Sequence, residues 1–290
     1  MFAFNKNFIF EDEPTLSKTF QAQSSSIKIR EETQSLKSNF TLKSDWVFMT
    51  GRALRYFSNQ PFNEYNTIDT WALEIKNVLT LRWEENTQTI YYIKNKKYTP
   101  QLLLFWVLHT FFPLVLTLGK IAHIFHVSAV NIENQAVLFS AFSGGGKSTL
   151  TNYFINKGHA VYGDDTVAIQ KDIDGYKVIS SYPFHRPYRE AEVLGYEIKN
   201  FVTNPQKLSR IYRLVQVDET ENIVIISLSG VEKFEALYQS DFVMFDNMKQ
   251  ERYLFATAIA QYIDVYKICI PWDLTRLDEV YQAIITHNRV

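Results

Sequence analysis

The residues best suited to binding or catalysis lie in one stretch, SAFSGGGKSTLTNYFINKGHAVYGDD, which runs from Ser140 to Asp165. A glycine-rich turn followed by a helix that opens with Lys-Ser can cradle phosphates, because glycines let consecutive amide N–H groups face one anion. The lysine reaches the outer phosphates and the hydroxyl is a magnesium ligand. We therefore predict nucleotide phosphate binding by Ser143, Gly144, Gly145, Gly146, Lys147, Ser148 and Thr149.

This loop departs from the usual Gly-x4-Gly-Lys-Ser/Thr pattern at its first position, where Ala141 replaces glycine. The three later glycines remain, so the amide cradle is still expected to form. The first corner of the turn must then be made without glycine.

Two adjacent aspartates, Asp164 and Asp165, follow at the predicted end of the next strand, one helix after Lys147. This arrangement returns both carboxylates to the phosphate loop. Phosphoryl transfer can use one carboxylate to bind or orient the metal and another to accept the proton of the attacking hydroxyl. The pair therefore favours a phosphotransferase over a simple binding loop.

Transporter ATPases also contain the string SGGGKSTL, but they need two further motifs. The segment LSGVEK (228–233) lacks the second glycine and the glutamine of their LSGGQ signature. In FVMFDN (242–247), Asn247 stands where their catalytic glutamate belongs. We interpret the first segment as a turn with a helix start and the second as an apolar strand, which disfavours the transporter class.

The elements around the loop predict an α/β core with a mixed sheet and flanking helices. Ahead of the loop we expect a long apolar helix over 102–118, the segment IFHVSAVNI, a turn at Glu133 and Asn134, and the buried strand AVLFS. The helix after the loop should end at Gly158. The rest predicts strands in HAVYGDDTVAIQ, GYKVISSY and VYKICIPW, and helices in VEKFEALYQSDF, QERYLFATAIAQYID and LTRLDEVYQAIITH.

The N-terminal part has a different pattern. Short apolar runs alternate with turn residues between 46 and 98, and their period of two predicts antiparallel strands. The first 40 residues are polar and predict loosely ordered or edge structure. We therefore predict a β-rich part over 1–100 and a P-loop core over 101–290.

Composition favours a globular cytoplasmic protein. Hydrophobic residues make up 46% of the 290 residues, and the formal net charge of −1 gives no reason to expect nucleic acid or an anionic membrane as a partner. The single Cys269 permits no internal disulfide, and the N-terminus lacks a signal-peptide pattern. The apolar run at 102–118 contains His109, Thr110 and Pro113, so we predict a core helix rather than a membrane span.

From His126 to Ile169 the sequence resembles the HPr kinase/phosphorylase family, whose catalytic core belongs to a wider group with phosphoenolpyruvate carboxykinase. The matching features are His126, AVLFS, SGGGKS, Gly158-His159 and VYGDD, in register without a gap. The segment VYKICIPWDLTRLDEV also looks like the closing strand and helix of kinases in this group. The resemblance implies a core like the HPr kinase C-terminal domain, and ATP and magnesium as cofactors.

The resemblance also implies roles for individual residues. Lys147 and Ser148 would hold phosphates and magnesium, Asp164 would be the general base, and Asp165 would assist at the metal. His126 would lie near the transferred phosphate. A core histidine whose hydrogen bonds are all made within the protein is an equally good interpretation of that residue.

An arginine is needed to neutralise charge on the transferred phosphate. YPFHRPYRE offers Arg186 and Arg189, and SRIYRL offers Arg210 and Arg213. We favour Arg186, because the prolines at 183 and 187 restrict the backbone around it.

The sequence also departs from the family. Kinases that act on the HPr protein carry glutamate where this chain has Thr149, and their Glu-x-Arg-Gly-Leu-Gly motif corresponds to EAEVLG, with Glu192 for arginine and Val193 for glycine. Their N-terminal domain is not recognisable either. These differences argue against HPr as substrate and against reverse phosphorolysis.

The outline is closer to HPr-kinase-like proteins encoded with peptide-modification genes. These include lasso-peptide kinases that phosphorylate the C-terminal serine of a precursor. By this resemblance the β-rich part is a candidate surface for peptide docking by strand addition, and assembly into a homo-oligomer is expected.

We therefore predict a kinase that phosphorylates a serine-type hydroxyl of a peptide or protein. A kinase of a small-molecule hydroxyl, such as free serine or a sugar, would use the same core residues. A nucleotide-sensing module would bind ATP without transferring phosphate. The acceptor separates the first two hypotheses, and lack of transfer to any acceptor identifies the third.

Overall fold

A computed structural model describes residues 1–16, 24–35, 37, 39–63, 66–187, 190–242, 245 and 248–289. They form two compact units, Met1–Ala122 with Tyr188–Leu194, and His123–Pro187 with Gly195–Val290. Within the described residues each unit contains a sheet of nine strands. The predicted α/β class, with a mixed sheet and flanking helices, is confirmed.

The N-terminal unit is built on a mainly antiparallel sheet in the order β1-β2-β3-β9-β8-β7-β6-β4, with β5 also paired to β6. Its strands are β1 (Phe2–Ala3), β2 (Lys6–Phe10), β3 (Ser26–Glu31), β4 (Leu42–Lys43), β5 (Val47–Met49), β6 (Arg52–Ser58), β7 (Thr70–Ile75), β8 (Leu79–Glu84) and β9 (Thr89–Lys94). The antiparallel strands predicted between 46 and 98 are present, and β8 is an additional one.

The expectation of loosely ordered or edge structure over the first 40 residues is wrong for β2 and β3. The side chains of Phe8, Phe10, Ile27 and Ile29 are almost completely buried. The two strands pair in parallel, and β3 pairs in parallel with β9. Apolar and polar residues alternate over only a few positions in β2 and in β3. The polar sequence between the two strands therefore made them hard to recognise as strands.

An apolar helical segment over Pro100–Leu118 follows β9. It consists of α1 (Pro100–Phe105), a π-helical turn (Trp106–Phe111) and α2 (Phe112–Leu118). In an α-helix the ring of Pro113 would clash with the carbonyl four residues earlier. The π turn, whose hydrogen bonds join residues five apart, ends at Phe111, two residues before this proline.

This segment packs inside the N-terminal unit. The ring of Phe112 lies 5.5 Å from that of Phe4, 4.8 Å from Phe8 and 6.3 Å from Trp83, between centroids. Its length and composition would allow a membrane span, but 83% of its most apolar window is buried inside the protein, as a core helix requires. The division between the units therefore lies after Ala122, not after residue 100 as predicted.

A short segment from later in the chain completes the N-terminal unit. Glu192 Oε1 accepts hydrogen bonds from Arg52 Nε at 2.9 Å and from Trp106 Nε1 at 2.8 Å, and Glu192 Oε2 accepts one from Arg52 Nη2 at 2.5 Å. Glu192 occupies the position where the family resemblance leads one to expect arginine. Here it is an acceptor that joins this segment to β6 and the helical segment.

The second unit contains strands β10 to β20 and helices α3 to α6. The strands are β10 (His123–Phe125), β11 (Ser128–Ile132), β12 (Gln135–Ser140), β13 (Val161–Gly163), β14 (Val167–Asp172), β15 (Gly175–Ile179), β16 (Phe184–His185), β17 (Tyr196–Glu197), β18 (Gln206–Val217), β19 (Val224–Ser227) and β20 (Asp264–Pro271). The helices are α3 (Lys147–Asn156), α4 (Gly230–Tyr238), α5 (Lys249–Ile259) and α6 (Leu277–Asn288).

Several predictions for this unit need correction. HAVYGDDTVAIQ forms two strands rather than one, because the chain turns at Asp164 and Asp165, and Asp165 has a left-handed φ of 80°. The segment IFHVSAVNI, for which no element type was predicted, contains the end of β10 and all of β11. The helix beginning within LSGVEK is confirmed as α4. Four residues of the proposed FVMFDN strand (243, 244, 246 and 247), and Arg189, lie outside the described residues.

The central strands run in the order β20-β18-β12-β11-β13, with β12, β18 and β20 parallel. Alternate residues of β12 face opposite cores, as the strand period of two requires. Val137 and Phe139 pack in the core that contains α3 and α6, whereas Ala136 and Leu138 pack in the core that contains α4 and α5. β12 is thus fixed on both faces where it leads into the phosphate loop.

Replacing Phe112 with alanine should lower the free energy of unfolding by about 3 to 5 kcal/mol, because the cavity lies among buried aromatic rings. The measurement is chemical denaturation. Phe48→Ala is the matched control, since Phe48 is 76% exposed and its truncation should change stability by about 0.5 kcal/mol or less. Equal effects of the two variants would contradict the assigned packing.

Candidate active site

The predicted phosphate loop lies between the end of β12 and the start of α3. Gly144 and Gly146 have left-handed φ values of 79° and 87°, which glycine adopts without steric cost. A methyl group on Gly145 would lie 2.7 Å from Cβ of Ala141 and 2.9 Å from the carbonyl oxygen of Phe142. Conformation or space therefore requires glycine at all three positions.

Ala141, the departure from the usual pattern, packs against the core that contains α3 and α6. Its methyl group thus has an apolar environment, and the first corner of the loop forms without glycine. The Gly145 N–H donates to the carbonyl oxygen of Phe142 at 2.9 Å and closes this turn.

The start of α3 presents the two side chains expected to meet phosphate. Lys147 is buried, and its Nζ donates to the carbonyl oxygen of Ala141 at 2.9 Å, so the amine is held across the mouth of the loop. The hydroxyl of Ser148 donates to Asp164 Oδ1 at 3.2 Å. The partial positive charge at the N-terminus of α3 adds to this anion-binding capacity.

Four polar groups surround the carboxylate of Asp164. Its Oδ1 accepts hydrogen bonds from the hydroxyls of Ser128 at 2.6 Å and Ser148 at 3.2 Å. Its Oδ2 accepts the Arg186 N–H at 3.2 Å and lies 2.7 Å from Nδ1 of His185. The side chain has no solvent exposure, and buried charge of this kind needs such donors to offset its desolvation.

Asp165 binds the predicted arginine. Its Oδ2 lies 3.1 Å from Arg186 Nη1, and both side chains are more than nine-tenths buried. The backbone carbonyl of Asp165 accepts a hydrogen bond from His126 Nδ1 at 2.8 Å. Since a carbonyl oxygen only accepts, Nδ1 of His126 carries a proton.

A buried tyrosine completes the polar surroundings. Burial raises the pKa of Tyr182 above its ordinary value, and the negative charge of Asp165 adds to this shift. Tyr182 therefore remains a neutral phenol beside the two aspartates.

Close backbone packing fixes His185 and Arg186. Gly195 has a left-handed φ of 86°, and a methyl group there would lie 1.9 Å from the carbonyl oxygen of His185. Gly163, just before the aspartates, leaves room for the hydroxyl of Ser181, which would lie 2.3 Å from a methyl group. Both glycines allow the chain to approach the aspartate pair closely.

Sequence reasoning missed Ser128 and His185. Both are buried beside Asp164. His185 Nδ1 lies 2.7 Å from Asp164 Oδ2, but neither ring nitrogen has a partner in hydrogen-bond geometry among the described residues. Ser128 lies two residues after His126. His185 lies in the segment YPFHRPYRE, of which only the arginines were predicted as site residues. Neither position belongs to a local motif that would have identified it.

Two of the other arginine candidates, Arg210 and Arg213, have partners away from the aspartate pair. Arg210 Nη1 donates to the carbonyl oxygen of His287 at 2.6 Å. Arg213 Nη2 donates to Gln239 Oε1 at 2.7 Å, and its guanidinium lies 5.2 Å from the centre of the Phe142 ring. Of the four candidates, Arg186 is the one with a described contact to the aspartate pair, and Arg189 lies outside the described residues.

Two cavities adjoin the phosphate loop. The larger, about 510 Å³, is lined by residues 142–145 of the loop and by charged residues that include Arg213, Glu232, Glu235 and Lys267. The smaller, about 320 Å³, has a mostly apolar lining and is bordered by Gly146 and Thr149. Thr149 is exposed, so it lies at the edge of the helix N-terminus rather than among the buried residues around Asp164.

Comparison with known proteins adds a likeness of fold. No family profile matches the chain, and no curated protein matches it either. Among solved structures, it is similar to the HPr(Ser) kinase/phosphatase from Coxiella burnetii, with 13% identity and a TM-score of 0.35, over 57% of this chain and 95% of that chain.

Replacing Gly195 with alanine should destabilise the protein more than replacing Gly158, although both have left-handed φ values of 86° and 92°. Gly158 has open space around it, so Gly158→Ala should cost only the backbone strain of about 1 kcal/mol. Gly195→Ala adds the overlap with His185, about 1 to 3 kcal/mol more. Denaturant unfolding of both variants measures the difference, and equal losses would contradict the close packing at His185.

Proposed function

We propose that the protein is an ATP- and magnesium-dependent kinase that transfers the γ-phosphate to a serine-type hydroxyl. The observation that carries this proposal is the hydrogen bond from Ser148 to Asp164. It joins the hydroxyl that opens the helix after the phosphate loop to a carboxylate of the aspartate pair. A loop that merely turned a strand into a helix would not require this convergence.

The residues at the loop fit a bound nucleoside triphosphate. Gly144, Gly146 and the first amides of α3 supply N–H donors, and Lys147 supplies positive charge at the mouth of the loop. The hydroxyl of Ser148 and the carboxylate of Asp165 are hard oxygen ligands, the type that magnesium prefers. A magnesium ion held there would neutralise charge on the phosphates.

Proton acceptance is assigned to Asp164, with Asp165 assisting at the metal. In the transfer, the acceptor oxygen forms a bond to the γ-phosphorus while the bond from that phosphorus to the β,γ-bridging oxygen breaks, and the hydroxyl proton passes to the carboxylate. The contact from Ser148 is one of the two longest to Asp164, at 3.2 Å, and Ser148 is also the proposed metal ligand. Displacement of this hydroxyl would open Oδ1 of Asp164 to the acceptor.

The remaining charged residues suit the transferred group. Arg186, beside Asp165, would neutralise charge on the phosphoryl oxygens, as arginines do in other phosphoryl-transfer sites. His126, with its Nδ1 proton directed to the Asp165 carbonyl, is assigned a place near the same group. These roles follow the family resemblance, and the contacts to the aspartate pair support them.

For the acceptor we propose a serine in a cytosolic peptide or protein, and in the narrowest form the C-terminal serine of a lasso-peptide precursor. The support comes from β5 at the margin of the N-terminal sheet, where Val47 and Phe48 are 52% and 76% exposed. An extended peptide could pair with this strand and cover these side chains. A small-molecule hydroxyl would need no such surface.

A nucleotide-sensing module is the second candidate, and a specific observation favours it. The carboxylate of Asp164 is completely buried under its hydrogen-bond donors, which is the expected state of a structural aspartate. Under this alternative the protein binds ATP but transfers phosphate to no acceptor.

Asp164→Asn should retain ATP binding and lower phosphate transfer at least about a hundredfold, because an amide cannot accept the hydroxyl proton. Labelled ATP with a pool of serine peptides, and separately with metabolites, measures transfer, while calorimetry measures binding. The control is Asp172→Asn at the end of β14, whose side chain is half exposed. Transfer at the wild-type rate in Asp164→Asn would refute the general-base role, and binding without transfer in the wild type would favour the sensor.

Phe48→Asp should raise KM for a peptide acceptor about tenfold, because a charged side chain cannot be buried against the peptide. The affinity for ATP should not change. Ile173→Asp is the control, since Ile173 is an equally apolar, 96% exposed residue in the turn between β14 and β15. An unchanged KM in Phe48→Asp would exclude docking at β5.

A further inference from the structure

The smaller cavity beside the phosphate loop has the character of a binding pocket for an aromatic ring. It is lined by Gly146, Thr149, Leu150, Ile270, Pro271, Trp272, Asp273, Leu274, Leu277 and Val280. Small-molecule pockets in proteins are typically of a few hundred Å³, mostly apolar, with a few polar groups that orient the ligand. The volume of about 320 Å³ and the single carboxylate of Asp273 agree with that description.

One wall of this cavity is an exposed tryptophan that borders the phosphate loop. Trp272 is 57% exposed although it follows a buried strand, and Leu274 nearby is 73% exposed. A methyl group on Gly146 would lie 3.5 Å from Cζ3 of Trp272 and 3.6 Å from Cδ1 of Ile270. The indole thus borders the residue that precedes Lys147.

The sheet order fixes the direction in which a nucleotide would extend from the loop. β20, which leads into Trp272, and β13, which leads into Asp164, lie on opposite sides of β12. If the outer phosphate faces the aspartates, the other end of the nucleotide points toward β20. The ligand would then run across Gly146 toward Trp272.

We propose that this cavity holds the purine base of the nucleotide, with the indole of Trp272 stacked on the base. This inference rests on the proposed function, because it takes the phosphate loop as a nucleotide site. The larger cavity on the α4 side is less suited to a base, since its lining includes two cationic and two anionic side chains. Asp273 is held at the rim by the backbone N–H and hydroxyl of Thr275, at 2.8 and 2.7 Å.

The test compares ATP with inorganic triphosphate, which shares the phosphates but has no base. We expect wild-type protein to bind ATP more tightly than triphosphate in calorimetry with magnesium. Trp272→Ala should weaken ATP binding about tenfold while leaving triphosphate binding unchanged, because stacking on an aromatic side chain contributes substantially per base. Trp272→Phe should keep most of the ATP affinity.

Tyr262→Ala is the matched control, because Tyr262 is an aromatic residue with the same 57% exposure and does not line the cavity. It should bind both ligands as the wild type does, and thermal melting checks that each variant is folded. Trp272→Phe also provides a second readout, since ATP should quench tryptophan emission in the wild type and not in this variant.

The outcomes separate the inference from the function on which it rests. If wild-type protein binds neither ligand, the proposed nucleotide site is wrong. If it binds both equally, or if Trp272→Ala retains full ATP affinity, the base lies elsewhere while the phosphate site stands. If Trp272→Ala loses ATP and triphosphate equally, the tryptophan supports the loop and does not hold a base.

Discussion

The buried carboxylate of Asp164 is the interaction on which the second unit's organisation depends. Its partners come from the start of β11, the first turn of α3, and the end of β16 with the residue that follows it. A buried charge is tolerated only when its donors are present together. The loop, the aspartate turn and the segment after β15 must therefore arrive in one register, and the site forms only when this half of the chain has folded.

The arrangement also explains how the unusual phosphate loop forms. Ala141 stands where glycine is usual, and its methyl group packs against the core. Burial of this methyl group therefore fixes the first corner of the loop, and the conformational freedom of glycine is not needed there. The later corners depend on glycine through conformation and space. Thr149, by contrast, lies outside the buried network, and its difference from the HPr-specific kinases concerns the exposed flank of the helix rather than the aspartate site.

The sequence was most informative where chemistry and local structure coincide. The glycine-rich turn after β12 and the helix that follows it depend on neighbours within a few residues, and both were predictable, whereas the turn at Asp164 and Asp165 was not. Ser128 and His185 were not, because only tertiary folding brings them to Asp164. The N-terminal boundary was misplaced for a related reason. The apolar helical segment precedes the loop in sequence, yet its aromatic residues pack on β-strands formed far earlier in the chain.

Glu192 has a consequence for the order in which the molecule is made. Its partners Arg52 and Trp106 precede it by 140 and 86 residues, so the N-terminal unit still lacks this carboxylate when its own strands have left the ribosome. Domains generally fold as units from the N-terminus during synthesis. Here the first unit must wait for part of the second to be translated, and a nascent chain that stops before Glu192 carries an arginine and an indole N–H whose final acceptor has not yet been made.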